Sequence, residues 1–374
     1  MVQSHRPSFV RINLHQIIDN YRTLKAHAAG RKCLAVLKAN AYGHGMIEVA
    51  GALEQVGLDY GGVALVEEGI VLRQAGIKVP LLVFGGLFTE QIESYANYDL
   101  EITASSIEAL EHIHAVAERL HCRIKVQLKI DTGMGRIGMA FEDAKELFAA
   151  SSRLHGCDIR GVYSHLATAE EDAAFCYEQI RRFRQCQEEF QQLVPTHTSV
   201  IFHLANSAGM LLYPESLFDM VRPGLSLYGV RPPGSPQLEV HTAFSVVSRI
   251  VYSKVVPQGT PISYGSTWKA PSETRIVTVP VGYGDGYFRR LSNRGSVLIG
   301  GKRYPIVGRV CMDQLMVDVG SDHVSLGDEV VLIGSQGGAA ITIDEIAALL
   351  ETTPHEVFTS FQGRLPRIYT DASH

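Results

Sequence analysis

Short aliphatic runs alternate with amphipathic stretches from Cys33 to about Pro223, a pattern that predicts parallel strand–helix units. The expected strands cover residues 33–38, 62–66, 80–84, 100–103, 123–130, 158–164, 199–204 and 218–222. Helical periodicity occupies residues 105–120 and 171–193, and in the second of these Ile180, Phe183, Phe190 and Leu193 fall near one stripe. Eight strands with intervening helices point to an α/β fold, a (β/α)8 barrel over residues 1–232, rather than an open doubly wound sheet.

After Arg231 the texture changes. Pro232-Pro233-Gly234-Ser235-Pro236 reads as a linker, and strand-like runs follow at 244–256, 276–281, 297–299, 304–311, 315–319 and 329–333. A second, mainly β domain is therefore expected over residues 233–374, with helix only at 342–351 and after Pro354; the first ten or so residues are candidates to pack on it. A chain of 374 residues is long enough for two domains, and its 46% hydrophobic and 20% charged residues suit a globular protein. The formal net charge of -5, without long runs of one sign, gives no surface for tracking nucleic-acid phosphates, so a small-molecule partner is expected. The six cysteines lack CxxC or Cys/His spacing, which argues against a metal site or a disulfide framework. With a polar start, Met1 to Pro7, and no apolar run near the roughly 20 residues that span a bilayer, a cytoplasmic location without membrane association is expected.

Lys38 follows the first barrel strand in Leu37-Lys38-Ala39-Asn40-Ala41-Tyr42-Gly43-His44-Gly45. Barrel enzymes keep their sites at the rim where strands end, and a partly desolvated lysine there can form a Schiff base. Position alone favours a solvated lysine at a strand end followed by a flexible loop. Taken singly, Ser207 fits a helix-start cap, Arg222 a surface ion pair, Tyr264 a turn tyrosine and His165 a satisfied buried histidine.

The stretch Ala35–Gly45 resembles the cofactor-lysine motif of the alanine racemase family, and further similar motifs follow in family order at residues 129–138, 164–168, 203–208, 221–229, 262–265, 281–286 and 311–314. The resemblance implies a pyridoxal-phosphate enzyme, a homodimer with shared active sites, that interconverts L- and D-alanine; in a bacterial member this feeds cell-wall synthesis. Lys38 would carry the cofactor as an aldimine. Tyr42, Asn206, Ser207 and the backbone at Gly224 and Leu225 would hold its phosphate, and Arg222 would face the pyridine nitrogen. Lys38 and the partner subunit's Tyr264 would be the two acid/bases, with His165 hydrogen-bonded to that tyrosine and tied to Arg222. Arg136 would meet the substrate carboxylate, oriented by Lys129 if that lysine is carbamylated; Lys129 paired with Asp131 is the alternative. Met312 and Asp313 resemble partner-supplied residues near the substrate, and Tyr283 an entrance gate.

The chain departs from the family pattern at Pro354-His355-Glu356-Val357, where histidine replaces a tyrosine that contacts the phosphate. Two outcomes stay open: a wider pocket that also takes serine, or unchanged selectivity with His355 donating to phosphate. A pyridoxal-dependent decarboxylase of the same architecture and a non-catalytic cofactor carrier are the rival readings. Arg222 and the Tyr264 motif count against the first, and the matching second domain against the other.

Overall fold

In the computed structural model, which describes residues 6–195, 199–361 and 363–370, the aliphatic runs of the first half become short parallel strands, most of them buried on both faces. Hydrogen-bonded neighbours run in chain order through Lys32–Val36, Tyr60–Val63, Leu81–Val83, Glu101–Ala104, Ile124–Asp131, Cys157–Tyr163 and Ile201–His203. The eighth strand, Met220–Val221, pairs in parallel with Lys32 and Cys33. Its flanks also reach the seventh strand: the Asp219 N–H donates to the Phe202 carbonyl at 2.9 Å and the Arg222 N–H to the Ala205 carbonyl at 3.0 Å. The sheet is thereby closed to within a few bonds, and the expected barrel is the fold found. Each strand lies within a few residues of its expected position.

The helices start where capping side chains allow. Ser106 Oγ accepts from the Ala109 N–H ahead of Ile107–Arg119, and Asp172 Oδ1 from the Phe175 N–H ahead of Ala173–Leu193. The long helix buries Cys176, Gln179, Ile180, Phe183, Cys186 and Phe190. Leu193, expected on that stripe, is exposed because the helix ends there and the buried face stops at Phe190.

By contacts, Ile17–Ala41 and Met46–Val240 form one unit, while the described residues of Met1–Gln16, Tyr42–Gly45 and His241–His374 form another. The second unit holds a seven-stranded sheet in which Phe9–Asn13 lies between Phe244–Arg249, antiparallel, and Arg367–Thr370, parallel. The expected run 244–256 is two strands: the chain leaves the large sheet after Arg249 and re-enters pairing at Tyr252–Val256, beside Thr274–Val279 in a three-stranded sheet. Helices Ile343–Leu350 and Pro354–Ser360 lie where they were expected. Among the described residues, no helix is long and apolar enough to cross a membrane.

The expected strand at 304–311 stops at Pro305. Gly308 has φ +74°, and a Cβ there would sit 2.7 Å from the Ile262 carbonyl oxygen, so the backbone turns and passes close to the segment before Tyr264. Replacing Gly308 with Ala should destabilise the protein by about 1–3 kcal/mol, through the left-handed φ and the backbone clash. Chemical denaturation of the two proteins checks this, and an unchanged midpoint would contradict it.

Candidate active site

Lys38 lies just past the first barrel strand and is half-buried. The chain then makes a left-handed turn, with φ of 53°, 55°, 54° and 48° at Ala39, Asn40, Ala41 and Tyr42. Side chains lose about 1–2 kcal/mol per residue in that region, so other contacts must hold the turn. Glu68 supplies one: Oε1 accepts from the Ala39 N–H at 2.7 Å, and Oε2 from the Ala64 N–H at 2.8 Å. Asn40 Oδ1 accepts from the Met46 N–H at 2.9 Å. In the β unit, Gly43 has φ +80° and a Cβ there would lie 2.5 Å from the Phe358 carbonyl oxygen, while its own carbonyl accepts from Arg367 Nε at 2.6 Å. Burial, then the charge of Arg136, lowers the pKa of Lys38, with Glu68 opposing. A larger share of free amine follows.

Arg222 is 4% exposed, and four acceptors face its guanidinium. Nη2 donates to the Ser164 and Leu204 carbonyls at 2.7 and 2.9 Å, and Nη1 donates to His203 Nδ1 at 2.8 Å. His165 Nδ1 lies 3.3 Å from Nη2. Burial pulls Arg222 down to about 10, which leaves it charged at neutral pH. Both histidines sit well below the usual imidazole range, through burial first and the Arg222 charge second. They are neutral acceptors beside a fixed cation.

Lys129 is buried, its Nζ 4.3 Å from the Tyr163 ring centre, and burial with the charges of Arg222 and Arg136 drives its pKa far down. Asp131 is engaged elsewhere, accepting from the N–H groups of Gly133, Met134 and Gly135 at 2.7–2.8 Å. That loop carries Arg136, which is exposed. The helix cap at Ser207–Leu212 is Asn206, whose Oδ1 accepts from the Gly209 N–H at 2.8 Å. Ser207 is therefore not the cap: its Oγ accepts from the N–H groups of Gly224 and Ser226 at 2.9 and 3.2 Å, next to Leu225.

The remaining candidates lie in the β unit. Tyr264 is 70% exposed and follows Ser263, whose Oγ donates to the Arg309 carbonyl at 2.6 Å. A cavity of about 400 Å³ adjoins it, lined by Tyr252, Lys254, Ser263, Cys311 and Met316 among others. Tyr283 and Met312 are exposed at one loop cluster, where the Tyr283 N–H meets the Cys311 carbonyl at 3.0 Å and the Gly284 N–H the Met312 carbonyl at 2.8 Å. Asp313 pairs with Arg364 at 2.8 Å. His355 is exposed, with its ring 5.2 Å from that of Tyr42.

Three contributors escaped sequence reasoning. Glu68 was marked only by its place at the start of Val66–Gln74, and His203 by its place in the motif 203–208. Gln127, inside a barrel strand, carried no signal at all.

A parallel barrel whose rim gathers a depressed amine, a buried guanidinium and two neutral imidazoles defines an enzyme of the barrel class. The chain belongs to the alanine racemase family: the profile of the alanine racemase N-terminal domain matches residues 12–232, and that of its C-terminal domain residues 243–369. An alanine racemase of Carboxydothermus hydrogenoformans is 43% identical over 97% of this chain and 100% of its own length. The crystal structure of alanine racemase from D-cycloserine-producing Streptomyces lavendulae superposes with a TM-score of 0.93 at 34% identity, covering 99% of both chains. That of Bartonella henselae, with covalently bound pyridoxal phosphate, gives 0.87 at 29% identity over 97% of this chain and 99% of that one.

The neutral histidines have a consequence for stability. Below pH 6.5 the unfolded chain protonates His165 and His203 while the folded one does not, so it binds more protons and stability falls as pH drops. Between pH 6.5 and 5 the expected slope approaches about 1.4 kcal/mol per pH unit for each histidine. Denaturation midpoints at pH 7, 6 and 5 measure it; a flat profile would contradict neutral burial.

Proposed function

We propose that the protein is a pyridoxal-phosphate-dependent isomerase that interconverts L- and D-alanine with two acid/bases, Lys38 and Tyr264 of a second copy of the chain. The observation that carries this reading is the pairing of Lys38, depressed by burial, with an Arg222 fixed by carbonyls and neutral imidazole. The donor set suits an anionic cofactor: the cations Lys38, Arg136 and Arg222 raise the local potential, and Ser207 keeps its hydroxyl hydrogen for donation because its oxygen already accepts two N–H groups. Lys38 would hold the cofactor, with Ser207, Gly224 and Leu225 at its phosphate, beside Asn206, and Arg222 at its ring nitrogen. For Tyr42 the support is family resemblance; for His355, which stands where the family has tyrosine, it is the ring contact with Tyr42.

Pyridoxal phosphate, when bound, acidifies the Cα–H of an attached amino acid. Arg222 only donates and never surrenders its proton at neutral pH, so it limits how far charge moves onto the ring nitrogen. Such restraint favours proton exchange over deeper bond cleavage. Lys38, as free amine, takes or returns a proton at one face of Cα; a phenol serves the other, since a single base tends to return the proton to the side it left. His165, neutral, would accept from the phenol or share its proton. Arg136 would hold the substrate carboxylate as a planar double donor.

Lys129 is proposed to be carbamylated. A neutral amine adds to carbon dioxide, forming an N–C bond and releasing one proton, and the resulting carbamate would answer the cations around it with a negative charge. Met312, Asp313 and Tyr283 would shape the substrate entrance in the dimer. His355 in place of tyrosine is proposed to admit serine as a second substrate.

Racemisation of L-alanine in deuterium oxide by the purified holoenzyme is expected to give D-alanine deuterated at Cα. Lys38→Ala and Tyr264→Phe should each lower turnover by about 10²–10⁴. Failure of inversion in wild type, with carbon dioxide released instead, would favour the decarboxylase. For His355, L-serine turnover is expected, and a His355→Tyr variant should lower the serine-to-alanine ratio; undetectable serine turnover beside normal alanine turnover defeats the wider pocket. Labelled 13C-bicarbonate should give a carbamate carbon resonance that Lys129→Ala removes.

A further inference from the structure

Glu101 lies in a barrel strand at 3% exposure, away from the residues assigned above. Its Oε2 accepts from Gln127 Nε2 at 2.5 Å and its Oε1 from the Tyr60 hydroxyl at 3.2 Å. Gln127 Oε1 lies 2.5 Å from His203 Nε2, and His203 Nδ1 lies 2.8 Å from Arg222 Nη1. Four side chains from four strands or strand ends thus form one hydrogen-bonded series.

Its direction follows from its ends. A guanidinium can only donate, so His203 Nδ1 accepts and the imidazole hydrogen sits on Nε2. That hydrogen needs an oxygen, so Gln127 turns its carbonyl to His203 and its amino group away. The amino group in turn needs an acceptor, and a carboxylate offers no competing donor. With the amide reversed, two donors would face each other at His203 and two oxygens at Glu101. Tyr163 holds the imaginable alternative shut: its ring stacks on His203 at 4.9 Å and 5°, and its hydroxyl bonds to Thr103 Oγ1 at 2.7 Å.

We propose that Glu101 is a positioning residue for the reaction, a carboxylate that ends a polarised series through Gln127 and His203 and so holds the Arg222 guanidinium in register. The role rests on the racemase reading above. Inside a barrel each bond strengthens the next. The carboxylate draws on the Gln127 N–H, which enriches the amide oxygen, which draws on His203 Nε2–H and makes Nδ1 a better acceptor for Arg222. No proton has to move. Burial pushes the Glu101 carboxyl up, while the bonds from Gln127 and Tyr60 and the charges of Lys125 and Arg160 pull it back.

The test is 15N NMR of the histidine-labelled holoenzyme, beside alanine kinetics. Wild-type His203 should be neutral with hydrogen on Nε2. Glu101→Gln keeps the shape and removes the charge; the His203 nitrogen resonances should shift, and kcat should fall about three- to tenfold with KM within about twofold. Tyr60→Phe, which removes the second donor to the carboxylate, should shift the same resonances in the opposite sense and decides the matter if Glu101→Gln does not fold. A doubly protonated or Nδ1-protonated His203 in wild type, unmoved resonances in the variants, or an unchanged kcat in Glu101→Gln would each overturn the proposal. Wild-type protein that does not racemise alanine would instead overturn the reading beneath it, and the resonances would still report the series.

Discussion

A guanidinium that is almost completely buried and cannot discharge its proton at neutral pH governs the barrel end of this molecule. An unpaired buried charge is costly, so every acceptor that faces Arg222 has a reason to be there. Two are carbonyls at the ends of neighbouring strands, Ser164 and Leu204, which only barrel closure brings within reach. The others are the imidazoles of His203 and His165, kept neutral by burial first and by the Arg222 charge second. Burial depresses the amines of Lys38 and Lys129 first; the charge of Arg222 comes next for Lys129, while for Lys38 that of Arg136 weighs more.

This arrangement separates two kinds of residue. Side chains in the barrel wall, such as Gln127, His203 and Tyr163, are fixed by stacking and short hydrogen bonds and define directions. Those on the β unit that resemblance brings to the substrate, Tyr264, Tyr283 and Met312, are exposed in the single chain.

The barrel was legible because parallel strands need runs of aliphatic residues on both faces, and such runs interrupt helical periodicity visibly. The β unit was less so. The break at Ile250 hides inside a stretch whose β-like pattern runs on without a turn signal, and the turn at Gly308 depends on a distant carbonyl that no local pattern announces. Phe9–Asn13 pairs with strands hundreds of residues away, so the local pattern gives neither its partners nor its register. At the site, residues within family motifs could be named, and Lys38 and Arg222 were. Ser207 was misjudged on its own, because the choice of cap between Asn206 and Ser207 is settled by geometry rather than residue type. Glu68 acts on the turn after Lys38 and Gln127 on a neighbouring strand, and only coordinates reveal those partners.

The left-handed turn after Lys38 also bears on how the protein is made. Ala39 to Tyr42 is a local conflict, a backbone of the wrong hand for its residues, and an isolated peptide would not adopt it. The turn is held by Glu68 on the helix Val66–Gln74, and the Gly43 carbonyl that follows it by Arg367 near the far end of the chain. A nascent or partly folded chain therefore lacks the burial that lowers the pKa of Lys38.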